Sequence, residues 1–257
     1  MSDRRKTAIS WVEAEQINLR GSAVEDIVGN MSFGAAIYLI LRGEGPSDAQ
    51  AKLFEAILTS VIDHGVKPPS TIAAVTVANT GASLNSAVAA GILAINKFHG
   101  GAIEDAMEAI SFAVEIGDSR AVDPDEAAGY LALEYKTRGK RVSGFGHRHH
   151  AADPRTARLF AFADELGLAG RYVAAARAIE KALSRSSGRN LPINADGAIA
   201  ALLCELEFPP AAANGIFMIA RVPGLVAHVV EEQERNPPMR TVDVDAYDYD
   251  GKPLVKS

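Results

Sequence analysis

Alanine fills the long apolar stretches of this 257-residue chain, and runs of β-branched residues are scarce. Alanine is the strongest helix former because it loses no side-chain freedom in a helix. The chain is therefore predicted to be all-α. Start signals agree. Ser47-Asp48-Ala49-Gln50 has the form of a capping box. Asp123-Pro124-Asp125-Glu126 sets a cap, then proline at the first helical position, then acids in the first turn. Asp153-Pro154 repeats the cap and proline. Breaks are expected at Gly43 to Pro46, Pro68-Pro69, Gly100-Gly101, Ser143 to Gly146, Ser184 to Pro192 and Pro237-Pro238. Between them the apolar periodicity predicts about ten helices. The tail after Met239 alternates enough to suggest short extended structure.

Bulk properties exclude several classes. Hydrophobic residues make up 48% and charged residues 23%, the balance of a soluble globular protein. The formal net charge is −6 and no long basic block occurs, which argues against nucleic-acid binding. The apolar segment from Ala211 to Val230 approaches the length of a membrane span, but it contains Arg221, Pro223 and His228. It is predicted to be a buried helix pair broken near Pro223, so no membrane association is expected. The single cysteine, Cys204, cannot form an intrachain disulfide and lies in an apolar run, where an inert buried thiol is expected. The N-terminal MSDRRKTAIS has no apolar stretch behind it, so no signal peptide is predicted and a cytoplasmic location is expected.

The breaks carry the chemistry-bearing residues. Asp63-His64-Gly65 precedes Pro68, and His99 precedes Gly100-Gly101. Gly144-Phe145-Gly146-His147-Arg148 forms one loop, and Arg221 sits just before Pro223-Gly224. Loops held by a rigid scaffold concentrate binding and catalytic groups. The cluster His147 to His150 has neither cysteines nor a helical i, i+4 histidine pair, so no metal site is predicted. Asp196, within Leu191-Pro192-Ile193-Asn194-Ala195-Asp196-Gly197, has two readings. It could cap a helix starting near Gly197, or be a partly desolvated acid with a raised pKa, suited to proton transfer. Arg155, Arg221 and Arg240 lie in separate segments beside turn residues, and arginine forks bind carboxylates bidentately. Spacing alone does not show that they converge. P-loop, dinucleotide-binding and nucleophile-elbow motifs are absent.

From Thr7 to Arg240 the chain resembles the citrate synthase superfamily. The segments that carry this are Ile62-Asp63-His64-Gly65, Phe98-His99-Gly100-Gly101-Ala102, Gly144-Phe145-Gly146-His147-Arg148 with Asp153-Pro154-Arg155, Asn194-Ala195-Asp196-Gly197, and Asn214-Gly215-Ile216-Phe217 running to Arg221 and His228. Each is modestly specific, and their order together is highly specific. Within the superfamily, Asn-Ala-Asp-Gly and Asn-Gly-Ile-Phe are closer to citryl-CoA lyase and the C-terminal module of ATP citrate lyase. Ile103 stands where synthases usually place asparagine. His99 is synthase-like, because the ATP citrate lyase module carries phenylalanine there, which leaves the direction and the acyl group open.

The resemblance implies an all-α two-domain fold, with 1–101 plus 209–257 as the large domain and 102–208 as a small domain closing over the site. It implies that His99 hydrogen-bonds the thioester oxygen, Asp196 moves a proton at the acetyl carbon, and His147 exchanges a proton with the oxygen of the oxo-acid carbon. His64, Arg155, Arg221 and Arg240 would hold carboxylates, with Arg240 donated by another subunit of a homodimer or larger homo-oligomer. Lys140, Arg141, Gly144, Phe145 and Gly146 would lie against coenzyme A, a substrate rather than a tightly bound cofactor. The implied activity is cleavage of citryl-CoA to acetyl-CoA and oxaloacetate. The alternatives are a synthase-like condensation, a lyase for a related 3-hydroxy-3-carboxyacyl-CoA, and a non-catalytic CoA-binding protein. The last predicts loss of His99, His147 or Asp196, and all three are present.

Overall fold

Local signals set several helix starts. In the computed structural model, which describes residues 5–146 and 153–240, Ser47 and Gln50 close the expected capping box at the start of α3 (Asp48–Ser60). Asp123 caps α7 (Pro124–Thr137) by accepting from Glu126 N, and Asp153 caps α8 (Pro154–Glu165) by accepting from Arg155 N. The remaining helices are α1 (Val24–Ile27), α2 (Phe33–Arg42), α4 (Pro69–Asn79), α5 (Leu84–Leu93), α6 (Ala102–Arg120), α9 (Arg171–Ser187), α10 (Ala195–Glu205) and α11 (Ala213–Arg235). The predicted all-α class therefore holds. The C-terminal tail expected to be extended lies outside the described residues, as does His147.

Three expectations are corrected. A small antiparallel meander, β1 (Ser10–Glu13), β2 (Gln16–Leu19) and β3 (Ser22–Ala23), precedes the helices. Helix α9 continues to Ser187, past the break expected at Ser184, and ends at Gly188 in a left-handed conformation. The segment around Pro223 is one continuous helix, not a broken pair. Proline removes one helical hydrogen bond, but α11 is held along its length by α3, α4, α5 and α6. Arg221, two residues earlier, also ties it to the α3–α4 loop by donating from Nε to Val61 O at 2.9 Å. By length and composition, the stretch 210–235 is apolar enough to cross a membrane; in the structure it packs against these four helices.

Helix α10 is the centre of the core. Ala198, Ala200, Ala201, Leu202 and Leu203 are completely buried, and α6, α8 and α9 surround it. An apolar face on every side requires such a central position. Cys204 is buried on this helix, and burial pushes its thiol up to about 11, as expected for an inert group. A second, smaller cluster joins Ala74, Ala78, Ala87, Leu225 and Val229 of α4, α5 and α11.

The far end of α10 also organises its neighbour. Gly170 gives α9 no side-chain cap. Glu205 of α10 supplies it instead, with one oxygen accepting from the N–H groups of Gly170, Tyr172 and Val173 at 2.8–2.9 Å. A carboxylate at a helix start is favoured by both the free N–H groups and the dipole. Glu205→Ala should therefore destabilise the fold by about 1–3 kcal/mol, read as a lower urea midpoint at unchanged slope. An unchanged midpoint would mean that water replaces this cap at no cost.

Candidate active site

Five segments distant in sequence meet at one cavity of about 240 Å³. His64 comes from the α3–α4 loop and His99 from the turn before α6. Asp153 and Arg155 come from the start of α8, Asn194 and Asp196 from the start of α10, and Arg221 with Phe217 from inside α11. Ala102, Asp153 and Ala195 place the N-terminal ends of α6, α8 and α10 at the same cavity. Helix N-termini favour negative charge, so the backbone and both arginines favour an anion in this cavity.

The turn that presents His99 is tightly built. Asn96 and His99 exchange backbone hydrogen bonds at 2.8 and 2.9 Å, and Gly101 N donates to Asn96 O at 3.1 Å. Gly100 has φ +90°, and a Cβ there would lie 2.7 Å from Ile95 Cγ2. Only glycine satisfies both demands. His99 Nε2 lies 2.8 Å from the hydroxyl of Ser70, which is fully buried. Burial, then the nearby Arg221 and His64, hold the His99 pKa below the usual histidine value. His64 is lowered in the same way, by burial and then by Arg155 and Arg221. Both rings are therefore biased toward the neutral form.

Asp196 is not the helix cap. Asn194 holds that position, with its side-chain oxygen accepting from Gly197 N at 3.2 Å. Asp196 lies in the first turn and lines the cavity. Burial raises its pKa and the neighbouring Asp153 adds to this, against the pull of Arg155, Arg221 and His64. Asp153 itself, only 3% exposed, grips Arg155 through Nε at 3.1 Å and Nη2 at 2.8 Å, and accepts from Ala195 N at 3.2 Å. One carboxylate thus sets both the guanidinium of Arg155 and the start of the Asp196 helix. Its pKa is lowered, because these bonds outweigh its burial.

Arg221 is 2% exposed, with its guanidinium 4.9 Å above the Phe217 ring. Its Nη1 is buried and has no hydrogen-bond partner among the described residues. An unpaired buried charge is costly, and here it borders the cavity. Arg240 is elsewhere. It is half-exposed, held by Glu232 at 2.6 Å and by the Asn79 side chain, which accepts from its backbone N–H. It lines a separate cavity with His228, which itself contacts Asp63 at 3.0 Å.

A third cavity, of about 680 Å³, is basic. Lys140, Arg141, Phe145 and Gly146 line it, whereas Gly144 sits behind it against Gly197. Lys136 of α7 and Arg189 of the α9–α10 loop add two cations that the sequence reading did not single out. Ser70 and the tie from Asp153 to Ala195 were also missed. Ser70 next to Pro68-Pro69 and the Asp153-Pro154 cap were the available signals, and neither names its distant partner.

Residues 42–241 match the family model described as citrate synthase, C-terminal domain. The chain is 31% identical over 212 residues to a citrate synthase of Haloferax volcanii, spanning 80% of this chain and 53% of that one. Citryl-CoA lyase from Hydrogenobacter thermophilus superposes with a TM-score of 0.89 at 41% identity, over 98% of this chain and 97% of that chain. An ATP citrate lyase from Methanothrix soehngenii, solved with citrate and coenzyme A, shares the fold at a TM-score of 0.82 and 23% identity, over 98% of this chain and 43% of that one. The chain spans about half the length of the curated relatives it matches. With a family model covering most of its length, the chain belongs to the citrate synthase family.

Proposed function

We propose that this protein cleaves citryl-CoA to acetyl-CoA and oxaloacetate. The observation that carries the reading is a buried guanidinium nitrogen on Arg221 without a partner among the described residues, bordering the same cavity as a carboxyl raised by burial and a histidine biased to neutrality. Its likeness over nearly the whole chain to a citryl-CoA lyase supports the choice of reaction.

In this scheme His147 takes the hydroxyl proton of citryl-CoA. The bond from the hydroxyl-bearing carbon to the thioester's α-carbon breaks. The oxo group of oxaloacetate forms, and the electron pair moves into the thioester, placing negative charge on its oxygen. A Ser70 hydroxyl donating to His99 Nε2 keeps the His99 proton on Nδ1, where it can be offered to that oxygen. A fixed donor in a water-poor site stabilises developing charge without reorganising. The protonated Asp196 then delivers its proton to carbon, giving the methyl group of acetyl-CoA. His64, Arg155 and Arg221 orient the carboxylates, and Arg240 completes the set from a second copy of the chain. The basic cavity takes the phosphates of coenzyme A, and residues 102–208 close over the site to exclude water.

The second reading is condensation of an acyl-CoA with a 2-oxo acid, favoured by the identity to citrate synthases. Synthetic citryl-CoA separates the two, with oxaloacetate followed through malate dehydrogenase and NADH oxidation. Rapid release of oxaloacetate and acetyl-CoA in equal amounts is expected. Silence there, with citrate formed from acetyl-CoA and oxaloacetate, would replace the lyase by the synthase.

A further inference from the structure

The basic cavity and the acid–base cavity share a wall. Asn194 N donates to Gly144 O at 3.0 Å, Gly146 N donates to Pro192 O at 2.7 Å, and Asn194 Nδ2 donates to Gly146 O at 3.0 Å. Gly144 and Gly197 touch backbone to backbone, and a Cβ on Gly197 would fall 2.3 Å from Gly144 O. Helix α9 braces the same wall, with Glu180 accepting from Ile193 N at 2.8 Å and Ser184 accepting from Leu191 N at 3.1 Å. One side of the wall presents Lys140, Arg141 and Phe145 to the basic cavity, and the other presents Asn194 and Asp196 to the catalytic one. Packed and hydrogen-bonded this closely, the 144–146 loop cannot shift without carrying the start of α10.

From this we infer that Asn194 is a positioning residue that couples anion occupancy of the basic cavity to the placement of Asp196. A helix cap needs only the Oδ1 acceptor that meets Gly197 N. The Nδ2 bond to Gly146 O adds nothing to the cap. It ties the loop of the basic cavity to the helix that carries the acid. Filling the basic cavity orders 144–146, and through Asn194 orders the first turn of α10. The identity of the anion as the nucleotide end of coenzyme A rests on the proposed lyase reading; the coupling does not.

Adenosine 3′,5′-bisphosphate, the nucleotide end alone, is the probe. Its binding is measured by calorimetry, and amide exchange is followed in peptides spanning 193–200, in the wild type and in Asn194→Ser, which keeps an acceptor for the cap and loses the amide donor. Both proteins should bind the probe comparably. In the wild type the probe should slow exchange at 193–200 by about tenfold, within the usual coupling range, and in N194S most of this protection should be lost, leaving only the share carried by the backbone bonds between 144–146 and 192–194. With citryl-CoA, kcat of N194S should fall by a similar factor while KM stays within about threefold. Asn194→Asp, which also lacks the donor, repeats the comparison if N194S does not fold. No probe binding, no protection in the wild type, or equal protection in the variants overturns the inference. Protection lost in the variants, from a wild type that does not cleave citryl-CoA, upholds the coupling and removes the lyase reading.

Discussion

Asp196→Asn should lower turnover with citryl-CoA by about 10²–10⁴-fold, the range for a positioned acid–base group, while leaving the KM for citryl-CoA nearly unchanged. In the proposed scheme cleavage needs the acid in its protonated form, which burial favours by raising the Asp196 pKa. The wild-type rate should therefore fall on the alkaline side as Asp196 ionises, and the residual rate of D196N should lack that limb. A second readout follows from linkage. The folded pKa lies above the unfolded value of about 3.9, so ionising Asp196 opposes folding. That penalty grows as pH rises from the unfolded pKa through the folded one, and is complete above it. D196N should therefore melt higher than the wild type at neutral pH, with the difference vanishing in acid. His64 and His99 act from the other side. Their lowered pKa values cost stability as pH falls below about 6.5 and into their folded values. Near-wild-type turnover in D196N would remove Asp196 from the chemistry. A lower melting point at neutral pH would mean that its carboxylate stabilises the fold instead.

Helix ends and the candidate site were legible in the sequence to different degrees. Caps are local. Ser47, Asp123 and Asp153 bond to amides two or three residues away, so a short window holds the whole interaction. The continuity of α11 through Pro223 depends on four packed helices, which no local pattern encodes. The meander was missed because its turn at Ala14-Glu15 uses a non-glycine residue at φ +65°, outside the usual hairpin signals. For Asp196, composition offered cap or catalyst, and the resemblance favoured the catalyst. The geometry removes the first option by giving the cap to Asn194. Convergence of His64, His99, Arg155 and Arg221 was implied only by the motifs, since partners such as Ser70 and His99 stand 29 positions apart. Arg189 joins Lys140 only because α9 returns alongside α7.

Arg221→Met should separate substrate binding from folding most sharply. Arg221 is a buried cation whose Nε bonds Val61 O and whose Nη1 has no partner among the described residues. Burial pulls its pKa below the usual arginine value, the mark of a charge that the fold does not fully compensate. Methionine fills a similar volume without that charge. Losing the Val61 bond should cost about 1 kcal/mol, and relief of the desolvated charge should offset it or more. Thermal stability should therefore be unchanged or higher. In the proposed scheme the Nη1 donor is reserved for a substrate carboxylate. Deleting one member of a buried charge pair costs about 2–5 kcal/mol, which corresponds to a loss of about 30- to 4,000-fold in kcat/KM. Calorimetry with oxaloacetate should lose a comparable share of affinity, and Arg221→Lys should recover only part of it, because an ammonium cannot bond Val61 O and a carboxylate through a planar fork. If R221M instead melts lower and keeps its oxaloacetate affinity, Arg221 is a tie between α11 and the α3–α4 loop, and the carboxylate is held by Arg155 and His64.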